Sequence, residues 1–149
     1  MGSVTFAAWR DRPPGGQERS SRQHYVTLAE LLVRLGSFGL GLTWKVQIYD
    51  AQLHGRFAEL EDASAGSGIG TLELLAVVAP DQQFIDGDFA GYAGDQLVVV
   101  LREFDSTSWD FCTADASVIR EIRRHYPDAT PTPEDVLQEL PWQTDQREL

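Results

Sequence analysis

Cysteine, lysine and long apolar runs are scarce in this chain. Its single cysteine, Cys112, can form neither an internal disulfide nor a cysteine-based metal site, which favours a reducing compartment. The apolar stretches Leu74–Pro80 and Leu97–Leu101 are far too short to cross a bilayer. Residues 1–14 carry three charges where a secretory signal would need an apolar run. We therefore expect a cytoplasmic protein with no membrane partner.

Basic residues are nearly absent from the middle of the chain. Residues 50–118 hold two arginines and thirteen acidic residues, a net charge equal to the −11 of the whole chain, because +3 in residues 1–49 and −3 in residues 119–149 cancel. Nucleic-acid binding is disfavoured, since phosphate contacts need clustered Lys and Arg. A one-sided negative surface instead speeds and selects encounters with basic partners.

No pattern of catalytic or metal-ligating residues is specific enough to assign a reaction. The three histidines match no zinc-site spacing, and Asp86-Gly87-Asp88 is not followed by the further oxygen ligands that a calcium loop needs. Cys112 has no histidine near it in the sequence to act as a base. We expect no catalytic residues, no metal and no cofactor, although carboxylates are abundant enough to leave a carboxylate-based hydrolase open.

Two helices and a strand are indicated in the first half of the chain. Thr27 and Glu30 form a capping box, followed by an apolar stripe that Gly36 ends. Residues 42–49 alternate as in a strand with one buried face. Residues 54–70 are predicted to form a mobile acidic loop, and residues 71–79 a helix that Pro80 ends.

The second half is richer in strands. We predict a short strand over residues 82–85, a tight turn at Asp86-Gly87, and a hairpin of strands 97–104 and 108–112. Asp115 is predicted to cap a helix that Pro127 stops. Thr132 and Pro133 are predicted to start a last short helix that runs to about Leu140.

This order of elements predicts an α+β fold, an antiparallel sheet with helices packed on one side. We expect a flexible N-terminal arm over residues 1–24, a single domain over residues 25–141 and a C-terminal tail over residues 142–149.

Two segments resemble parts of known proteins. Residues 104–115 (FDSTSWDFCTAD) with Val118-Ile119 and His125-Tyr126-Pro127-Asp128 resemble the C-terminal strand and helix of small acidic bacterial α+β proteins, some of them immunity proteins, and residues 83–89 (QFIDGDF) are similar to the same group. The resemblance covers about a third of the chain. It implies neutralisation of a toxin and no catalytic residues.

These observations favour a binding protein over an enzyme. We predict an immunity- or antitoxin-type inhibitor that blocks a basic partner, such as a toxin or nuclease, through an acidic, aromatic-lined face. Trp109 is the predicted anchor and the nearby acids the steering charges: Asp86, Asp88, Asp105 and Asp110. The alternatives are a carboxylate-based hydrolase, with two acids in one cleft, and an accessory subunit of a larger bacterial assembly.

Overall fold

The computed structural model describes residues 2–11, 23–51 and 57–133. Within these ranges the chain forms nine strands: β1 (Gly2–Ala7), β2 (Trp9–Asp11), β3 (Gln23–Tyr25), β4 (Thr43–Ala51), β5 (Ile69–Gly70), β6 (Phe84–Ala93), β7 (Gln96–Phe104), β8 (Ser108–Thr113) and β9 (Thr130–Pro131). It also forms five helices: α1 (Leu28–Arg34), α2 (Gly36–Leu40), α3 (Phe57–Ala65), α4 (Thr71–Val78) and α5 (Ala116–His125).

Seven of the strands form one antiparallel sheet in the order β5-β4-β6-β7-β8-β1-β9, while β2 and β3 form a separate two-stranded sheet. One face of the large sheet, which we call the helix face, packs against the helices in a single hydrophobic core. Its largest buried side chains are Phe6, Trp44, Phe84, Phe89, Trp109 and Phe111, which meet α1, α3, α4 and α5. The predicted α+β fold, with helices on one side of an antiparallel sheet, is confirmed.

The N-terminal residues are part of the domain. Strand β1 lies inside the sheet between β8 and β9, with Val4 opposite Phe111 and Phe6 opposite Trp109. The predicted arm over residues 1–24 is therefore wrong for residues 2–8, because Val4, Phe6 and Ala8 complete the core. It is also wrong for residues 9–11 and 23–24, which pair with each other as part of β2 and β3. Residues 12–22 of that arm, the predicted tail and most of the predicted 132–140 helix lie outside the described residues.

Two further predictions need correction. Residues 57–65, expected in a loop, form α3, because Phe57, Leu60 and Ser64 recur every three or four residues and are buried on one side of it. The tight turn predicted at Asp86-Gly87 is instead an internal part of the ten-residue strand β6, which turns into β7 at Gly94. A Cβ at Gly87 would lie 3.2 Å from the Phe89 ring, so the glycine serves close packing here.

The remaining elements follow the sequence. Thr27 caps α1, Pro80 follows α4 closely, and Asp115 caps α5 by accepting hydrogen bonds from the amides of Ser117 and Val118. The β7–β8 hairpin forms as predicted. Among the described residues, no helix combines the length and the apolar character needed to cross a membrane.

Candidate functional site

The face of the sheet that points away from the helices, here called the far face, carries a row of polar residues. In register, this row runs across five neighbouring strands: Gln47, Asp88, Arg102, Asp110 and Thr5. Beside it, Ala90, Val100 and Cys112 form a small second buried cluster. Side chains alternate between the two faces of each strand, so the acids selected from the sequence are separated from the core residues next to them.

Asp88 and Arg102 form the centre of this row. The side chain of Asp88 is fully buried, and its Oδ1 lies 2.7 Å from Nε of Arg102. The hydroxyl of Tyr49 donates a hydrogen bond of 2.9 Å to Oδ2 of the same carboxylate. Burial, and after it the Asp88 charge and hydrogen bond, raise the pKa of Tyr49 to about 12. Asp88 is therefore held by two partners and is not itself exposed to a ligand.

Asp110 lies on the other side of Arg102. Its Oδ1 accepts a hydrogen bond of 2.6 Å from the hydroxyl of Thr5, and Arg102 stands opposite it in the β7–β8 register. Burial raises the pKa of Asp110, while the Thr5 hydrogen bond and the Arg102 charge act against that rise. Arg102 is thus flanked by a carboxylate on each neighbouring strand.

Asp86 and Asp105 meet at the end of the sheet, at the β7–β8 turn. Asp105 and Ser106 have φ values of 49° and 55°, and the Thr107 amide donates to the Phe104 carbonyl, as in a type I′ hairpin turn. The Asp105 amide donates a hydrogen bond of 2.7 Å to Oδ1 of Asp86. This contact connects the turn to strand β6 and keeps the two residues adjacent.

Two aromatic side chains are exposed beside these acids. Tyr49 is 56% exposed and reaches Asp88 on the far face; Phe104 is 61% exposed and lies two residues after Arg102 on the same strand. The acidic patch is defined here as these two aromatic residues together with the Asp88–Arg102 pair and the three other acids: Asp86, Asp105 and Asp110. Two of its four carboxylates, those of Asp88 and Asp110, flank the Arg102 guanidinium.

Trp109 does not belong to the acidic patch. Its side chain is fully buried on the helix face, and its Nε1 donates a hydrogen bond of 2.8 Å to the Val26 carbonyl. The prediction that Trp109 anchors a partner is wrong for this structure, because alternation along β8 turns Trp109 to the core and Asp110 to the far face. The structure thus places Asp88 and Asp110 beside Arg102, Asp86 and Asp105 at the β7–β8 turn, and the predicted anchor in the core. Asp88 is fully buried, so it is not available as the contact residue that the sequence predicted.

Sequence reasoning missed Tyr49 and Phe104 as residues of the site. The alternation over residues 42–49 already placed Tyr49 on the side away from the core, but its contact with Asp88 depends on the pairing of β4 with β6. Phe104 ends a nearly continuous apolar run, and such a run carries no alternation from which an exposed face could be assigned.

Comparisons with known proteins add no identification. Neither protein-family models nor curated proteins nor solved structures give a match to the chain. Across the described ranges, no group of three or more His, Cys, Asp or Glu residues is placed to hold a metal ion.

Proposed function

We propose that this chain is a protein-binding module that docks the acidic patch on a basic surface of its partner, and that it acts as an immunity- or antitoxin-type inhibitor. The observation that carries the proposal is that Asp88 and Asp110 flank Arg102, Asp86 and Asp105 meet at the neighbouring β7–β8 turn, and Tyr49 and Phe104 are exposed on the same strands or next to them. Exposed aromatic side chains surrounded by charge are typical of interfaces rather than of ordinary solvated protein surface.

The charge of the acidic patch indicates that it prefers a basic partner over an acidic one. Arg102 is paired with Asp88 and stands opposite Asp110, so the negative charge of Asp86 and Asp105 is not offset by an ion pair within the described residues. Such a charge distribution steers a basic partner into contact and disfavours an acidic one. The exposed aromatic rings supply apolar area that can be buried at the centre of the contact.

The acidic patch is also held in place before binding. Ser106 donates its amide to the Ile85 carbonyl at 2.9 Å and its hydroxyl to the Phe84 carbonyl at 3.2 Å, so the β7–β8 turn is fixed to β6. A surface that needs little ordering on binding keeps more of its contact energy as affinity. This property suits an inhibitor that must stay bound to its target.

A hydrolytic function is less well supported by the same residues. Carboxylate catalysis requires two acids facing one bound substrate. Here Asp88 is enclosed by Arg102 and Tyr49, Asp110 accepts from Thr5, and Asp86 accepts from the Asp105 amide. These contacts use the carboxylates to hold the sheet face together.

The experiment is affinity capture from lysate of the native host at low and high salt, followed by binding measurements with the purified partner. We expect a basic partner whose binding weakens with salt. The double substitution Phe104→Ala and Asp105→Lys is expected to weaken that binding at least tenfold. If the partner is a toxin, co-expression with the wild-type chain and not with the double variant restores growth.

The matched control places the same charge change away from the acidic patch. Glu73→Lys on α4 alters net charge by the same amount as Asp105→Lys, at an exposed site on a helix. Equal weakening by Glu73→Lys and by Asp105→Lys alone would mean that net charge, and not the acidic patch, governs the association. A partner bound with unchanged affinity by the Phe104→Ala and Asp105→Lys variant contradicts the proposal outright.

A further inference from the structure

Two adjoining cavities lie on the helix side of the molecule, apart from the acidic patch. The larger, of about 750 Å³, extends between α1 and the residues that follow α4. The smaller, of about 330 Å³, lies between α1, the β2–β3 pair and the end of α5. His24, Glu30 and Arg34 line both cavities, so the two form one cleft with these side chains at the junction.

The larger cavity is mostly apolar. Its lining includes Tyr25, Ala29, Val33, Leu75, Ala79 and Pro80. Its volume falls in the range of roughly 300–1,000 Å³ that is usual for small-molecule sites, which combine an apolar lining with a few placed polar groups. This part of the cleft is suited to the apolar body of a ligand.

The smaller cavity is rich in hydrogen-bond donors. Arg10, Arg34, His125 and Tyr126 line it together with His24. The Arg10 guanidinium lies 5.2 Å above the centre of the Tyr126 ring, and its NH1 pairs with Asp128 at 2.5 Å. A guanidinium carries five N–H donors, more than these contacts use. Nε2 of His24 pairs with Glu30 and Nε2 of His125 with Glu121, and Arg34 interacts with the Tyr126 hydroxyl. The donor capacity that these contacts leave lies in the remaining N–H groups of the two guanidiniums.

The carboxylate at the junction is already occupied. One oxygen of Glu30 lies 2.5 Å from Nε2 of His24, and the other accepts a hydrogen bond from the Tyr126 hydroxyl. The capping box predicted a bond from Glu30 back to Thr27, and the structure retains only the other half, in which Thr27 accepts from the Glu30 amide. Burial, with the Glu30 hydrogen bond, raises the pKa of Tyr126, so this phenol keeps its proton.

We propose that this cleft binds a small amphipathic carboxylate, with its apolar body in the larger cavity and its carboxylate at Arg34. Arg34 follows Glu30 by one helical turn and lines both cavities, so it stands where the apolar and donor-rich parts meet. Asp11 and Asp81 each line one of the cavities as well, and neither lines both. The site is independent of the function proposed for the acidic patch.

Three probes that share one apolar body test the ligand class. We would titrate the protein with 4-phenylbutyrate, 4-phenylbutylamine and 4-phenyl-1-butanol and follow backbone amide shifts by NMR. We expect 4-phenylbutyrate to bind with a Kd on the order of 1 mM, as its size allows, at least tenfold more tightly than the other two. The net charge of −11 favours the amine at long range, so selection of the carboxylate must come from the local site.

A substitution of Arg34 tests where the carboxylate of the ligand binds. Arg34→Met keeps the length of the side chain and removes its charge, and we expect it to weaken 4-phenylbutyrate binding at least tenfold. Arg120→Met, at an exposed site on α5 that lines neither cavity, is the matched control and should leave binding unchanged. Binding of the amine or alcohol as tight as that of the carboxylate overturns the proposal. So does an unaltered Kd in Arg34→Met, or the absence of shifts at His24, Tyr25 and Arg34 with 10 mM 4-phenylbutyrate.

Discussion

Asp88 and Arg102 face each other across β6 and β7 and form an ion pair in which the carboxylate is completely buried. The Arg102 side chain is 14% exposed, so both charges are largely removed from water. Burial disfavours the charge of Arg102, and its bonds to Asp88 outweigh that effect and raise its pKa. Asp88 and Arg102 thus stabilise the part of the sheet that carries the exposed residues of the acidic patch.

Removing one member of this pair should strongly destabilise the fold. Arg102→Met leaves Asp88 as an unpaired buried charge, and we expect the free energy of unfolding to fall by about 3–5 kcal/mol. The double variant Asp88→Leu with Arg102→Met removes both charges and should recover most of that loss. Chemical denaturation of the wild type, both single variants and the double variant gives the coupling between the residues. Strictly additive effects would show that the two side chains do not depend on each other.

The positions of Phe104 and Trp109 separate binding from stability. Phe104→Ala removes an exposed ring, so we expect the unfolding free energy to change by less than about 0.5 kcal/mol. Partner affinity should fall at least tenfold. Trp109→Phe leaves the Val26 carbonyl without its donor and creates a cavity in the core, which we expect to cost about 2 kcal/mol of stability.

The affinity of folded Trp109→Phe for the partner should stay within about twofold of the wild type, because its side chain does not reach the surface. Denaturation curves and binding isotherms on the same preparations check both halves of this prediction. If Trp109→Phe loses much of its affinity for the partner while Phe104→Ala binds as tightly as the wild type, Trp109 and not Phe104 is the anchor.

Local sequence signals predicted the elements whose ends are marked by side chains. Thr27 and Asp115 accept hydrogen bonds from the first turns of α1 and α5, so both helix starts could be recognised from single residues. Turn chemistry likewise located the β7–β8 hairpin at Asp105 and Ser106. Asp86-Gly87 failed as a turn signal because Gly87 lies inside strand β6, where it packs closely against the Phe89 ring.

The acidic patch could be predicted only in part. The abundance of acids near residues 86–110 is visible in the sequence. Which of them stand next to Arg102 is not, because the positions of Asp88 and Asp110 opposite Arg102 depend on strand register. Register also decides that Trp109 faces the core. Glu30 illustrates the same limit, because its bonds to His24 and Tyr126 join residues 6 and 96 positions apart.

Glu103 is a carboxyl group buried in the core without a hydrogen-bond partner in the described part of the chain. It is 2% exposed, and the residues opposite it on the neighbouring strands, Gly87 and Trp109, carry no charge. Burial raises the pKa of Glu103 from 4.5 to about 9, so the folded protein keeps this proton at neutral pH. The unfolded chain releases the same proton above its ordinary pKa.

Stability should therefore fall as pH rises between about 4.5 and 9, because the folded state binds one more proton than the unfolded state in that window. The slope from this group alone is at most about 1.4 kcal/mol per pH unit. Glu103→Gln keeps the size of the side chain and removes the ionisation, so its stability relative to the wild type should increase from pH 5 to pH 8. Chemical denaturation at several pH values measures this difference, with Glu73→Gln at an exposed position on α4 as the control. Parallel pH profiles for the wild type and Glu103→Gln would show that Glu103 ionises alike in the folded and unfolded chain.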